Sequence, residues 1–206
     1  MSEHSADDEE MSDPRIIDGE TSDGVGEMSD TRAGERSPRR VVITGFMGAG
    51  KTTVAHALAR LLEASFVDLD ESVTKTEGRT PRELIDGEGE EYFREAETRA
   101  LRLALEEGTA RVIATGGGAW TLERNRALVA AHGCLSVWLD APFDLCRRRI
   151  EEVGVHERPL ARDPERARSL YAQRLAAYRL ADLRVRVTPH ASAGELAAEV
   201  AAALDG

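Results

Sequence analysis

Cysteine is scarce: only Cys134 and Cys146 occur in 206 residues. Both lie in apolar or helical stretches without metal-ligand spacing, which argues against a disulfide framework and against a zinc site. They are expected as buried or half-buried thiols of a cytoplasmic protein. No apolar run reaches the ~18 residues of a membrane span, and the N-terminus is acidic where a signal peptide needs a basic region and an apolar core. No membrane partner is expected. A basic surplus is missing as well. The formal net charge is −11, and residues 1–38, with 12 acidic side chains and 3 arginines, account for −9 of it. The remainder, residues 39–206, is near neutral, which argues against nucleic acid as a partner because neutralising phosphates requires a basic patch. Lysine is almost absent: Lys51 and Lys75 stand against 25 arginines, a bias of composition rather than of function. Yet Lys51 falls in the strongest motif of the chain.

Residues 1–38 are rich in Ser, Asp, Glu and Gly, have Ile16 and Ile17 as their one adjacent apolar pair, and show no period. Such a stretch buries too little surface to offset its ordering entropy, so a disordered acidic tail is expected, or an extension upstream of a start at Met28. From Arg39 onward, short β-rich runs alternate with longer helical patterns, the signature of an α/β domain over residues 39–206 with a mostly parallel sheet. Strands are expected at 40–44, 65–68, 111–114, 135–139 and 183–187. Helix starts are marked by Thr80-Pro81-Arg82-Glu83 and Ser192-Ala193-Gly194-Glu195, which read as capping boxes, and by Asp163-Pro164, an N-cap before a proline. No segment outside this core carries a surplus apolar stripe, so a monomer is expected.

Directly after the first strand comes Gly45-Phe46-Met47-Gly48-Ala49-Gly50-Lys51-Thr52-Thr53, a P-loop in the strand, turn, helix order that its mechanism demands. Glycines let successive backbone N–H groups turn inward around an oxyanion, and the following helix adds its unpaired N-terminal donors. Lys51 brings a charge to the β and γ phosphates, and Thr52 offers a hydroxyl to Mg²⁺. Gly48, Ala49, Gly50, Lys51, Thr52 and Thr53 are therefore the candidate nucleotide-binding residues, with ATP or GTP and magnesium as the ligand. No Asn-Lys-x-Asp guanine signature is present, and the domain is too short to add a large effector module. A small-molecule kinase is the natural expectation.

The second strand ends in Phe66-Val67-Asp68-Leu69-Asp70. The two carboxylates are spaced by two residues, and the period of a strand puts both on one face. One carboxylate would then hold the water shell of Mg²⁺ while the other accepts a hydrogen bond from an acceptor hydroxyl and acts as base. The alternative is a strand-end turn or a helix cap, with Asp70 capping the segment that follows. Farther on, Gly89-Glu90-Glu91-Tyr92-Phe93-Arg94-Glu95-Ala96-Glu97 lies in a long helical pattern. Thr115-Gly116-Gly117-Gly118-Ala119 follows the third strand, where parallel sheets bind ligands. Glu157-Arg158-Pro159-Leu160 falls between two helices, and Arg174 and Tyr178 share a helix face at i, i+4. Taken singly, each arginine reads as a solvated surface residue.

In this order and combination, GFMGAGKTT, FVDLD, GEEYFREAE, TGGGA, RPL and an Arg followed four residues later by Tyr resemble the shikimate kinase family of P-loop proteins, from about Arg39 to Asp205. The resemblance implies a three-layer fold with a five-stranded parallel sheet in 2-3-1-4-5 order flanked by helices, and transfer of the γ-phosphoryl group of ATP to the 3-hydroxyl of shikimate. It implies that Lys51 contacts the transferring phosphate, and that Thr52 and, through water, Asp68 hold Mg²⁺. Asp70 would bind the acceptor hydroxyls as candidate base, and Arg94 and Arg174 would clamp its carboxylate beside Gly117 and Gly118. Arg158 would be the lid arginine that closes on the phosphates. Guanidinium forks suit a carboxylate, and a closing arginine excludes water from a phosphoryl group that would otherwise be hydrolysed.

The chain departs from the family pattern in three places. Arg174-Leu175-Ala176-Ala177-Tyr178 stands where Arg-x-Pro-x-Tyr is usual. The lid, residues 153–163, is flanked and lined by Glu151, Glu152 and Glu157 and runs Arg-Pro-Leu-Ala where a second leucine is common. For the adenine-contacting arginine of the family, Arg148 and Arg149 are both candidates. Two other readings stay open: a kinase of another small sugar acid such as gluconate, and a non-catalytic ligand-binding regulator of the same fold.

Overall fold

The computed structural model describes residues 39–153 and 163–204. The acidic stretch 1–38 and the lid with Arg158 lie outside the described residues. Five strands, β1 (Val41–Thr44), β2 (Phe66–Asp68), β3 (Val112–Ala114), β4 (Leu135–Asp140) and β5 (Leu183–Arg186), form one sheet in the order β2-β3-β1-β4-β5. Every pairing is parallel. Each strand begins and ends within one residue of its expected bounds, and the order is the one the resemblance implied. The central strands are buried throughout, Val-Val-Ile-Thr in β1 and Val-Ile-Ala in β3, as a parallel strand covered on both faces requires. The edge strand β5 alternates instead, with Arg184 and Arg186 exposed, charges that blunt an unpaired edge. Arg184 Nε reaches back to Asp140 Oδ2 at 2.8 Å.

Between the strands run α1 (Lys51–Leu61), α2 (Leu69–Glu77), α3 (Pro81–Glu88), α4 (Glu90–Glu107), α5 (Glu123–Ala131), α6 (Phe143–Val153), α7 (Pro164–Tyr178) and α8 (Ala193–Ala202). All three expected helix starts are present. Thr80 and Ser192 each accept from the backbone N–H of a glutamate three residues on, which returns the bond to the cap, and Asp163 accepts from the N–H groups of Glu165 and Arg166. Helix α1 packs on α8 and on β2 and β3. The main core joins the sheet to α1, α4, α7 and α8, and a second, smaller core of Val73, Leu84, Phe93 and Ala96 holds α2, α3 and α4 together. Cys134 and Cys146 are both buried free thiols. Among the described residues, no helix is long and apolar enough to cross a membrane.

Register decides where the site lies. Ala114 of β3 pairs with both Ile43 of β1 and Asp68 of β2, so the carboxyl ends of these neighbouring strands finish at one level. The loop after β1, the first turn of α2 and the glycines after β3 therefore leave the sheet side by side.

Candidate active site

The loop after β1 turns on two glycines in left-handed conformations, Gly48 at φ +79° and Gly50 at φ +97°. A Cβ on Gly48 would also stand 2.6 Å from the carbonyl oxygen of Cys146, so both backbone and space demand glycine there. Helix α1 starts at Lys51 with no side-chain cap and no acid in its first turn. Its N-terminal N–H groups and positive dipole end thus face an anion site with no competing carboxylate on the helix. Lys51 Nζ donates to the carbonyl of Phe46 at 3.1 Å, arching over the loop. A cavity of about 300 Å³ opens here, lined by Gly48, Gly50, Lys51, Thr52, Thr53, Arg149, Ile150 and Glu152. Arg149 donates to the carbonyls of Gly48 at 3.3 Å and Ala49 at 3.2 Å, whereas Arg148 is exposed. Of the two arginines, only Arg149 faces the phosphate loop.

Asp68 and Asp70 do not share a strand face. Strand β2 ends at Asp68, whose Oδ1 accepts the backbone N–H of Asp70 at 2.9 Å and so caps α2. Asp70 lies in the first helical turn, and the helix cap is Asp68 rather than Asp70. A carboxylate that captures the N–H two residues on competes directly with strand continuation. The division of the two acids survives by another route. Thr52 Oγ1 donates to Asp68 Oδ2 at 2.7 Å, which sets this carboxylate beside the phosphate loop, while Asp70 turns into a second, larger cavity.

That cavity, about 1040 Å³, is lined by Met47, Asp70, Phe93, Arg94, Glu97, Gly116, Gly117, Gly118 and Arg174, with α3 as its outer wall. The two arginines are not solvated surface residues: Arg94 is 9% and Arg174 6% exposed. Arg94 donates to Glu90 at 2.8 Å and pairs with Glu97, on the same face of α4. Helix α7 runs unbroken through Ala176 to Tyr178, and Arg174 and Tyr178 are both buried with alanine in place of the proline.

Glu97 and Gly116 belong to the site although no sequence argument assigned them. Glu97 is 0% exposed, and among the described residues its Oε1 has no hydrogen-bond partner. Burial pushes its carboxyl up to about 7, with repulsion from Asp70 adding and the nearby Arg94 and Arg174 pulling down. A Cβ on Gly116 would fall 2.1 Å from that Oε1 and 3.0 Å from Asp70 Oδ1, and one on Gly118 would fall 2.4 Å from the Arg94 guanidinium. The glycines are thus a floor onto which charged groups press directly. The signal that would have found Glu97 is its spacing, three residues after Arg94 on one helix.

The shikimate kinase family model matches residues 47–205. Curated shikimate kinases from Cereibacter sphaeroides and Geobacter sulfurreducens are 41% and 43% identical over 153 and 150 residues, covering 73% and 71% of this chain and 75% and 81% of theirs. A solved structure of the shikimate kinase from Acinetobacter baumannii in complex with shikimate superposes with a TM-score of 0.74 at 32% identity, covering 81% of this chain and 92% of that one.

Proposed function

The chain belongs to the shikimate kinase family, and on that premise we propose that it transfers the γ-phosphoryl group of ATP to the 3-hydroxyl of shikimate. The observation that carries the acceptor is the gathering of Arg94, Arg174, Asp70 and three glycines around one cavity next to the phosphate loop. Two guanidiniums suit a single carboxylate, and a carboxylate in the same cavity suits hydroxyls.

In this reading the α1 N-terminus, the N–H groups of residues 48–53 and Lys51 hold the β and γ phosphates, and Arg149 borders the nucleotide. Arg94 and Arg174 fix the acceptor carboxylate, which turns the ring so that one hydroxyl meets Asp70. Asp70 takes the proton as the hydroxyl oxygen bonds to phosphorus and the bond to the ADP oxygen breaks. Arg158, from the lid, neutralises charge on the moving group. The hydroxyl of Thr52 and the carboxylate of Asp68, joined at 2.7 Å, are hard oxygen donors that suit Mg²⁺, which keeps several waters and needs few protein ligands. When bound there, the ion would neutralise phosphate charge. The catalytic domain is residues 39–206; the acidic tail takes no part in the chemistry. The protein acts as a cytoplasmic monomer without nucleic-acid or membrane partners.

A coupled ADP-release assay with ATP, Mg²⁺ and a panel of shikimate, quinate, gluconate and nucleoside monophosphates tests the proposal. Turnover with shikimate alone is expected, lowered at least about a hundredfold in Asp70→Asn. Turnover with gluconate instead would replace the acceptor, and ATP binding without turnover would favour a regulator.

A further inference from the structure

Among the described residues, Tyr178 is the bulkiest of the fully buried side chains, at 0% exposure, and no step above uses it. Its hydroxyl donates to the carbonyl of Gly117 at 2.6 Å, across 61 positions of sequence. One residue earlier, the carbonyl of Ala177 accepts the indole N–H of Trp120 at 3.0 Å. The last turn of α7 therefore grips the segment after β3 at two points, one on each side of Gly118. The Tyr178 ring is itself seated on Trp138 of β4, with centroids 6.1 Å apart and planes 25° from parallel. Burial pushes the phenol up to about 12, so it remains a donor wherever the chain works.

Gly117 lines the larger cavity and lies against the phosphate loop. A Cβ there would lie 3.2 Å from the carbonyl of Gly45 and 3.4 Å from the N–H of Met47, both in the phosphate loop, and 3.4 Å from Nη1 of Arg174. Arg174 stands one helical turn before Tyr178 and lies against its hydroxyl. A ring that merely filled space would need no hydroxyl, and this hydroxyl donates to the carbonyl of Gly117 while it faces Arg174, so that it ties the glycine floor to the carboxylate clamp.

We propose that Tyr178 is a positioning residue: by holding Gly117 it locks the glycine floor to the helix that carries Arg174, and so sets the acceptor against the phosphate loop. The acceptor's identity rests on the function proposed above; the locking itself does not.

Tyr178→Phe keeps the ring and removes the bond, and Trp120→Phe removes the second tie. Ser136→Ala serves as a stability control, because it loses a buried hydroxyl bonded to Asp182 at 2.7 Å, away from both cavities. In the full chain, Tyr178→Phe is expected to raise the shikimate KM about fivefold to tenfold, the effect of one neutral hydrogen bond, with the ATP KM within about twofold. Trp120→Phe is expected to shift it in the same direction, and Ser136→Ala to lower the melting temperature without moving either KM. Amide hydrogen exchange at residues 115–121 should quicken by a similar factor in Tyr178→Phe, while residues 45–53 keep their protection. That readout needs no acceptor, so it judges the locking even if wild-type protein ignores shikimate, an outcome that would sink the proposed acceptor alone. Unchanged exchange at 115–121, or a Tyr178→Phe protein that loses only melting temperature as Ser136→Ala does, would overturn the inference.

Discussion

Gly118→Ala tests whether the glycine floor is built to admit Arg94. Gly118 has φ −96° and ψ −22°, a conformation alanine adopts freely, so the backbone gives no reason for the fold to suffer. The added methyl would nonetheless stand 2.4 Å from Cζ and Nη2 of Arg94, about 1 Å inside ordinary contact. The guanidinium must retreat by that distance, although Glu90 holds it at 2.8 Å and Glu97 holds it from the other side. A charged hydrogen bond is worth about 1.5–3 kcal/mol, so removing one from the acceptor carboxylate predicts a shikimate KM about 10- to 100-fold higher. The phosphate loop is untouched, and the ATP KM should stay within about twofold. Steady-state kinetics at saturating ATP, with a thermal melt to check folding, measure both. The decisive comparison is Gly118→Ala combined with Arg94→Ala: a displaced guanidinium has little left to lose, so the double variant should be scarcely worse than Arg94→Ala alone. Full additivity of the two losses, or an unchanged shikimate KM in Gly118→Ala, would refute the reasoning.

Glu97 makes stability depend on pH. Its carboxyl is raised from 4.5 to about 7 in the folded chain, so between these values the folded state holds more protons than the unfolded one. Its contribution is therefore fullest below the unfolded value and is lost as pH rises toward and through about 7. Melts of wild type and Glu97→Gln across roughly pH 5 to 8 should show a steeper decline in the wild type, and parallel curves would contradict the assignment. Arg149→Ala should raise the ATP KM about tenfold by removing a cation that borders the phosphate loop, while Arg148→Ala stays near wild type. Equal effects of the two on ATP would mean that Arg149's bonds to Gly48 and Ala49 have no bearing on the nucleotide.

The sheet, its strand bounds, the phosphate loop and the three helix caps were legible because each depends on neighbours within a few positions. Apolar runs mark covered parallel strands, and a Ser, Thr or Asp before a helical pattern finds its N–H two or three residues away. At Asp68-Leu69-Asp70 the same-face reading failed and the strand-end turn held, for the same local reason. Strand period and capping compete over those three residues, and the capture of the Asp70 N–H by Asp68 decided it.

Burial of Arg94 and Arg174 could not be read, since in a chain with 25 arginines nothing local separates a buried guanidinium from a solvated one. Residue types and spacing alone determined that this chain carries a phosphate-loop motif at the end of a parallel strand and the motifs of one kinase family. Tertiary structure alone decided that Glu97 and Gly116 line the larger cavity, that Tyr178 reaches Gly117, and that Arg149 rather than Arg148 borders the phosphate loop. Those placements depend on which strands pair, in what register, and which helix faces close over them. Contacts across 61 or 101 positions are set by the packing of the whole sheet and leave no mark on the residues near either end.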